Sequence, residues 1–305
     1  MVVNDACVLF YIFVKNLKTL KMKFTNYSYS LSALSQRTQK IINQPFQPGE
    51  KLAMYKTILG LIDLTTLSGN DTREKVRHLC EQAVGFENRA LGTPKTAAVC
   101  VYPVFTKIVS ESLKGSGVKT ASVAGAFPSG QSPLDARLME VTYAIENGAD
   151  EIDMVISRGR LIEGDAEYVL KEVKAHKAVC GKHHLKVILE TGELKTPELI
   201  RQACILALEG GADFLKTSTG KVQPAATHEA VLIMLDTIKE YYKAEGKMIG
   251  IKPAGGISTP EEALNYYLLV QSVLGEKWLN NNLFRIGASR LAENLYHAIE
   301  ELATV

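Results

Sequence analysis

Eight short apolar runs, each followed by a segment with helical periodicity, recur from residue 58 to the end of the chain. They are ILGLIDLTT (58–66), TAAVCVYP (96–103), KTASVAGAF (119–127) and EIDMVIS (151–157), then LKVILET (185–191), FLKTSTG (214–220), GIKPAGG (250–256) and LFRIGAS (283–289). Runs of this length and character read as strands buried on both faces, the setting of a parallel sheet. The segments between them carry helix signals. Thr196–Pro197 and Thr259–Pro260 put a capping hydroxyl before a proline suited to the first helical turn, and Gly210–Gly211 stops the helix 196–211. RLAENLYHAIEELA (290–303) supplies a last amphipathic helix. Eight such units predict an α/β fold, a (β/α)8 TIM barrel, with one or two extra helices over residues 28–57. An open doubly wound sheet is the rival, and the even spacing and lack of a GxGxxG fingerprint weigh against it.

A chain of 305 residues has room for two domains, but barrels fill ~250 residues as one unit. Residues 22–305 are therefore expected to form a single domain. The first 21 residues differ in kind. Their apolar run ACVLFYIFV (6–14) is too short to span a bilayer, which needs ~20 residues, and it lacks a basic segment before it. The expectation is that Met22 starts the natural protein and that 1–21 is a disordered or unneeded extension. The 35 basic and 33 acidic residues give a net charge of +2 with no basic stripe, which argues against nucleic acid as a partner; no membrane partner is expected either. Five scattered cysteines without a CxxC pair fit reduced thiols and a cytoplasmic location.

Two lysines stand where apolar residues belong. Lys216 and Lys252 each lie inside a predicted buried strand, and a buried ammonium is strongly disfavoured unless paired or neutralised. An amine nucleophile gives such a residue a purpose, because burial and a neighbouring cation both lower its pKa. Asp63 in the first strand and Asp153 in the fourth add two carboxylates. Strands four and six contribute to common interior layers, so Asp153 is expected to face Lys216, with Lys252 one strand away. A purely structural ion-pair network is the competing account. Asp150 and Glu151 read as solvated charges at the opposite end of strand four.

A second signal lies in STGK (218–221), AGGIS (254–258) and RIGAS (285–289), where glycine adjoins serine, threonine or lysine at three successive strand ends. Glycine lets backbone N–H groups approach an anion, and barrels often seat a phosphate after strands seven and eight. Cys100, inside strand two, reads as a small buried hydrophobe or a pocket-lining thiol. His176, Cys180, His183 and His184 read as a solvated helix end and loop, not a metal cluster. Arg285 reads as structural and Arg290 as rim-exposed.

Taken together, LIDLTTL (61–67), VCVYP (99–103), EIDMVIS (151–157), FLKTSTGK (214–221), KPAGGI (252–257) and FRIGAS (284–289) resemble the deoxyribose-phosphate aldolase family of class I aldolases. The resemblance spans the whole barrel. It implies reversible cleavage of 2-deoxy-D-ribose 5-phosphate to acetaldehyde and D-glyceraldehyde 3-phosphate through a Schiff base on Lys216. It further implies proton shuttling by Asp153, support from Lys252, and orientation of that lysine by Asp63. Gly220, Lys221, Gly255, Gly256, Gly287 and Ser289 match phosphate-binding positions, and Thr65 and Cys100 join them as substrate contacts. Small phosphosugars and aldehydes are then the partners, no metal or organic cofactor is implied, and a homodimer or larger homo-oligomer is expected. Ser258, Arg290 and the ending ELATV depart from residues found in some members, an Arg, a Ser and a terminal Tyr. The alternatives are another lysine-dependent phosphosugar aldolase and a non-catalytic sugar-phosphate-binding barrel.

Overall fold

The computed structural model describes residues 24–304 except 26 and 90; the expectations for residues 1–21 lie outside the described residues. Eight strands are present: β1 Ile62–Thr65, β2 Ala98–Val101, β3 Lys119–Ala124, β4 Glu151–Val155, β5 His184–Ile188, β6 Phe214–Lys216, β7 Gly250–Lys252 and β8 Ile286–Ala288. All pair in parallel in the order β7-β6-β5-β4-β3-β2-β1-β8. Backbone bonds from Ile251 N to Leu283 O (2.9 Å), Arg285 N to Ile251 O (3.0 Å) and Gly287 N to Pro253 O (2.9 Å) join β7 to β8. The sheet therefore closes into the expected (β/α)8 barrel, with helices between the strands.

The strands are shorter than the apolar runs that signal them. Ile58 and Leu59 end the helix Pro48–Leu59 rather than starting β1. At the other ends, β6 and β7 finish at Lys216 and Lys252, and the turns beyond them carry Gly220, Gly255 and Gly256 at positive φ (77°, 84° and 80°), which extended backbone does not tolerate. These glycine turns face the C-terminal mouth of the barrel. The predicted helix starts hold: Thr196 and Thr259 each accept a bond from the amide three residues on, a cap worth ~1 kcal/mol, and Thr227 caps another helix in the same way.

Residues 28–57 do form two helices, Leu31–Ile42 and Pro48–Leu59. Arg37 fixes the first to the helix His228–Glu245 through a two-pronged pair with Asp236 (2.6 and 2.8 Å), and Tyr55 fixes the second by donating to Glu261 (2.9 Å). Among the described residues no helix is long and apolar enough to cross a membrane.

Strand alternation divides the core. Val99 and Val101 of β2 belong to the large apolar layer under the helices, whereas Ala98 and Cys100 join Leu67, Ala121 and Val123 in a small cluster on the other face, inside the barrel. Much of the rest of that interior is charged, with the Phe214 ring packed beside Lys186 and Arg285.

The supposed surface charges at the start of β4 illustrate this. Asp150 is exposed, but Glu151 is only 2 % exposed, because two-residue alternation puts it on the same inward face as Asp153. The histidine reading also needs correction. His176 is fully buried in the helix Ala166–Cys180, its Nδ1 sits 2.7 Å from Glu172 O, and burial pushes its pKa down to about 4. Cys180 is buried too, while His183 and His184 are partly exposed.

Candidate active site

Inside the barrel, four cationic side chains meet three carboxylates. Asp153 Oδ2 accepts from Lys216 Nζ at 2.6 Å and from Lys252 Nζ at 2.7 Å, while its Oδ1 accepts from Lys186 Nζ at 3.1 Å. Asp63 Oδ2 lies 2.5 Å from Lys252 Nζ and 3.5 Å from Lys186 Nζ, and its Oδ1 accepts from Arg285 at 2.6 Å. Glu151 closes the far side, accepting from Lys186 at 2.5 Å and from Arg285 at 2.8 Å. All seven residues are at most 3 % exposed.

Strand register builds this arrangement. Asp153 pairs with Lys186 across β4 and β5, and Lys216 pairs with Lys252 across β6 and β7. Gly287 stands beside Asp63 in β8, and a Cβ there would come 3.1 Å from Lys252 Cε and 2.9 Å from Ala254 Cβ. Its lack of a side chain leaves the channel through which Lys252 reaches both carboxylates.

With every group ionised, four cations against three carboxylates leave one uncompensated positive charge in a water-poor interior. One lysine is therefore the natural candidate to give up its proton, and the surroundings select which. Burial pushes Lys216 down; Asp153 opposes this, Lys252 reinforces it, and the net shift is below the ordinary lysine value. Burial also acts on Lys252 and Lys186. There the carboxylates outweigh it, Asp153 and Asp63 for the former and Asp153 and Glu151 for the latter, and both stay above the usual range. Asp153 is buried, which alone would raise its carboxyl, but Lys186, Lys216 and Lys252 hold it well below the usual carboxylate range. Asp63 and Glu151 are lowered in the same way, chiefly by Lys252 and Lys186 respectively, against their own burial.

A cavity of about 540 Å³ opens at the C-terminal mouth above the network. Of the seven charged residues, Lys216 alone lines it. Thr65, Gly220, Lys221, Gly255, Gly256, Gly287 and Ser289 line it as well, as do Thr219, Ser258 and Arg290. Gly220 and Gly255 pack back to back, since a Cβ on Gly255 would fall 2.9 Å from Gly220 Cα and 2.7 Å from Ala225 Cβ. The close approach of the β6 and β7 loops requires glycine at Gly255, whereas at Gly220 it is the positive φ that favours glycine. Lys221 bridges the mouth by donating to Leu67 O, and Arg290 stands exposed at the start of the helix Leu291–Ala303.

Asp63, Asp153 and Lys252 lie beneath the cavity floor rather than in its wall. Cys100 is fully buried beside them, its thiol raised by burial and by Asp153 against the pull of the lysines, and it does not line the cavity. Lys186, Glu151 and Arg285 complete the network, and the first two were not expected there. A larger groove of about 870 Å³ lies elsewhere on this side, lined by Arg158, Tyr168 and Lys195 among others, and touches none of the seven. Among the described residues no three His, Cys, Asp or Glu side chains are grouped so as to share a metal ion.

The profile of the DeoC/LacD family aldolases matches residues 57–273, which includes β1 through β7. The chain belongs to the DeoC/LacD aldolase family. Among its relatives is the deoxyribose-phosphate aldolase of Homo sapiens, 41 % identical over 251 residues that cover 78 % of each chain. The deoxyribose-phosphate aldolase of Bos taurus is 36 % identical over 281 residues, 88 % of this chain and 87 % of that one. A solved structure of deoxyribose phosphate aldolase from Aeropyrum pernix, described as a unique tetramer, superposes with a TM-score of 0.65 at 25 % identity, covering 90 % of this chain and all of that one. Membership in an aldolase family gives the site a reaction class, carbon–carbon bond cleavage.

Proposed function

We propose that this aldolase cleaves 2-deoxy-D-ribose 5-phosphate reversibly to acetaldehyde and D-glyceraldehyde 3-phosphate. The observation that carries the reading is that Lys216 is both the lysine whose proton is least favoured and the single network member lining the cavity. Neutral Lys216 Nζ attacks the C1 aldehyde carbon, and loss of water from the carbinolamine leaves a protonated imine. Removal of the C3 hydroxyl proton then drives cleavage of the C2–C3 bond. The electron pair passes to the imine and gives an enamine, while C3 leaves as the aldehyde of glyceraldehyde 3-phosphate. Protonation of the enamine carbon and hydrolysis free acetaldehyde and the amine.

Asp153, 2.6 Å from the reacting nitrogen, is the base in this scheme, acting through water. Lys252 serves as the cation that keeps Lys216 neutral, and Asp63 positions Lys252. The glycine turns after β6 and β7, with Gly287 and Ser289 at β8, hold the phosphate, with Lys221 and Arg290 as cations at its rim; Arg290 offsets the change to Ser258. In this reading Cys100 shapes the floor and does not touch substrate. A homo-oligomer remains our expectation for the assembly.

Product analysis tests the reading. Incubation with 2-deoxyribose 5-phosphate should release acetaldehyde and glyceraldehyde 3-phosphate in equal amounts, whereas a longer phosphosugar as the preferred donor would replace this substrate with another.

A further inference from the structure

Glu190 follows β5 and has no part in the scheme above. Its backbone is left-handed (φ 53°), a conformation that costs a non-glycine residue of order 1 kcal/mol, and its side chain is fully buried. This geometry sets the carboxyl beneath the loop that follows β6. Oε1 accepts from Thr219 N at 3.2 Å, Oε2 accepts from Thr219 Oγ1 at 2.5 Å, and Lys221 N donates to Thr219 Oγ1 at 3.1 Å. Thr219, Gly220 and Lys221 all line the cavity. The two loops also interlock, since a Cβ on Gly192 would come 2.0 Å from Pro224 O.

A hydroxyl has one hydrogen to give. While Glu190 is ionised, Thr219 commits that hydrogen to the carboxylate and offers the cavity only lone pairs. A protonated Glu190 can itself donate to Thr219 Oγ1, which frees the hydroxyl hydrogen for an anion in the cavity. We propose that Glu190 is the positioning residue for phosphate recognition: it fixes the Thr219–Lys221 loop, and its proton sets whether Thr219 donates to the bound phosphate. The surroundings agree. Burial raises the carboxyl above its ordinary range, the bonds from Thr219 oppose this, Arg158 from the segment after β4 opposes it further, and Glu193 adds to the rise. Arg158 is itself engaged by Glu193. The proposal rests on the sugar-phosphate reading given above.

Steady-state kinetics on 2-deoxyribose 5-phosphate and on unphosphorylated 2-deoxyribose, as a function of pH, test it with Glu190→Gln and Glu190→Ala. Glutamine reproduces the neutral state, its amide donating to Thr219 Oγ1 and its oxygen accepting from Thr219 N. Rising pH ionises Glu190 in the parent, so the parent KM for the phosphorylated substrate should climb relative to that of Glu190→Gln. Titration of the substrate phosphate is common to both enzymes and cancels in the ratio. Glu190→Ala leaves the Thr219 hydroxyl hydrogen free but unfastens the Thr219–Lys221 loop, and should raise that KM roughly tenfold, the size of one misplaced hydrogen bond to a charged group, with kcat little changed. On unphosphorylated deoxyribose, kcat/KM should be the same for all three. Equal losses on both substrates, or a Glu190→Gln profile that follows the parent at every pH, would overturn the proposal. Should the alanine variant not fold, the glutamine-to-parent ratio decides alone. Failure of the underlying reading shows separately, as a parent enzyme indifferent to the phosphate.

Discussion

Lys216 and Lys252 face each other in register across β6 and β7 and share one oxygen of Asp153 as counterion, at 2.6 and 2.7 Å. Two ammonium groups so close raise each other's cost of protonation, and the structure distributes that cost unequally. Lys252 has a second carboxylate in Asp63, whereas Lys216 has none and is the one whose pKa is pushed down.

Replacing Lys252 with methionine should therefore disable Lys216 without touching it. The substitution removes a like charge and leaves Asp153 to Lys216 and Lys186, so the Lys216 pKa rises. At an unperturbed ~10.4, on the order of one amine in two thousand is neutral at pH 7. Acetaldehyde adduct formation should fall at neutral pH and recover in alkaline buffer, and Lys252→Arg should retain more of the neutral-pH rate because it keeps the charge. A methionine variant that forms adduct as fast as the parent at pH 7 would show that Lys252 acts in some other way.

Arg285 illustrates the structural half of the network. It is the bridge between Asp63 and Glu151, and Arg285→Met would leave two buried carboxylates short of a cation. Breaking a buried ion pair on one side costs ~3–5 kcal/mol, so equilibrium denaturation should show a loss of that order. An unchanged midpoint would mean that water or Lys186 replaces the guanidinium.

Acid should unfold the protein through the same cluster. The carboxyls of Asp63, Glu151 and Asp153 are all lowered in the folded state, so the unfolded chain binds more protons as pH falls. Their contribution is complete above the unfolded carboxylate range of ~4 and is lost progressively below it. Lys186 and Lys252, raised in the folded state, contribute fully below ~10.4 and lose that contribution as pH rises through their folded values. Denaturation curves across pH should thus show a plateau with an acid fall; stability that increased toward pH 3 would contradict the assignment.

In the proposed scheme the imine is the electron sink, so a metal ion has no step to perform. Exhaustive dialysis against EDTA should leave the cleavage rate unchanged. Loss of activity that zinc or manganese restores would replace imine chemistry with metal-assisted cleavage.

The barrel was legible in the chain because eight apolar runs and two Thr–Pro helix starts each carry a local physical signature. The site was legible in part. Lys216 and Lys252 stand out as charges inside apolar runs, and Lys186 in LKVILET carries the same signal. Glu151 was assigned to the surface from its place at a strand end, although alternation with Asp153 puts both on the inward face. Glu190 gave no local warning at all. Its role depends on a left-handed backbone and on contact with Thr219, 29 residues away, and neither follows from residue type.

The central claim is that one lysine among three buried ones is the nucleophile, and borohydride reduction in the presence of acetaldehyde tests it most directly. Peptide mass mapping should place a reduced two-carbon adduct on Lys216, with Lys186 and Lys252 unmodified, and Lys216→Ala should give neither adduct nor turnover. Lys216→Arg should fail equally, because a guanidinium stays protonated. An adduct on Lys252 or Lys186, or cleavage surviving in Lys216→Ala, would contradict the account.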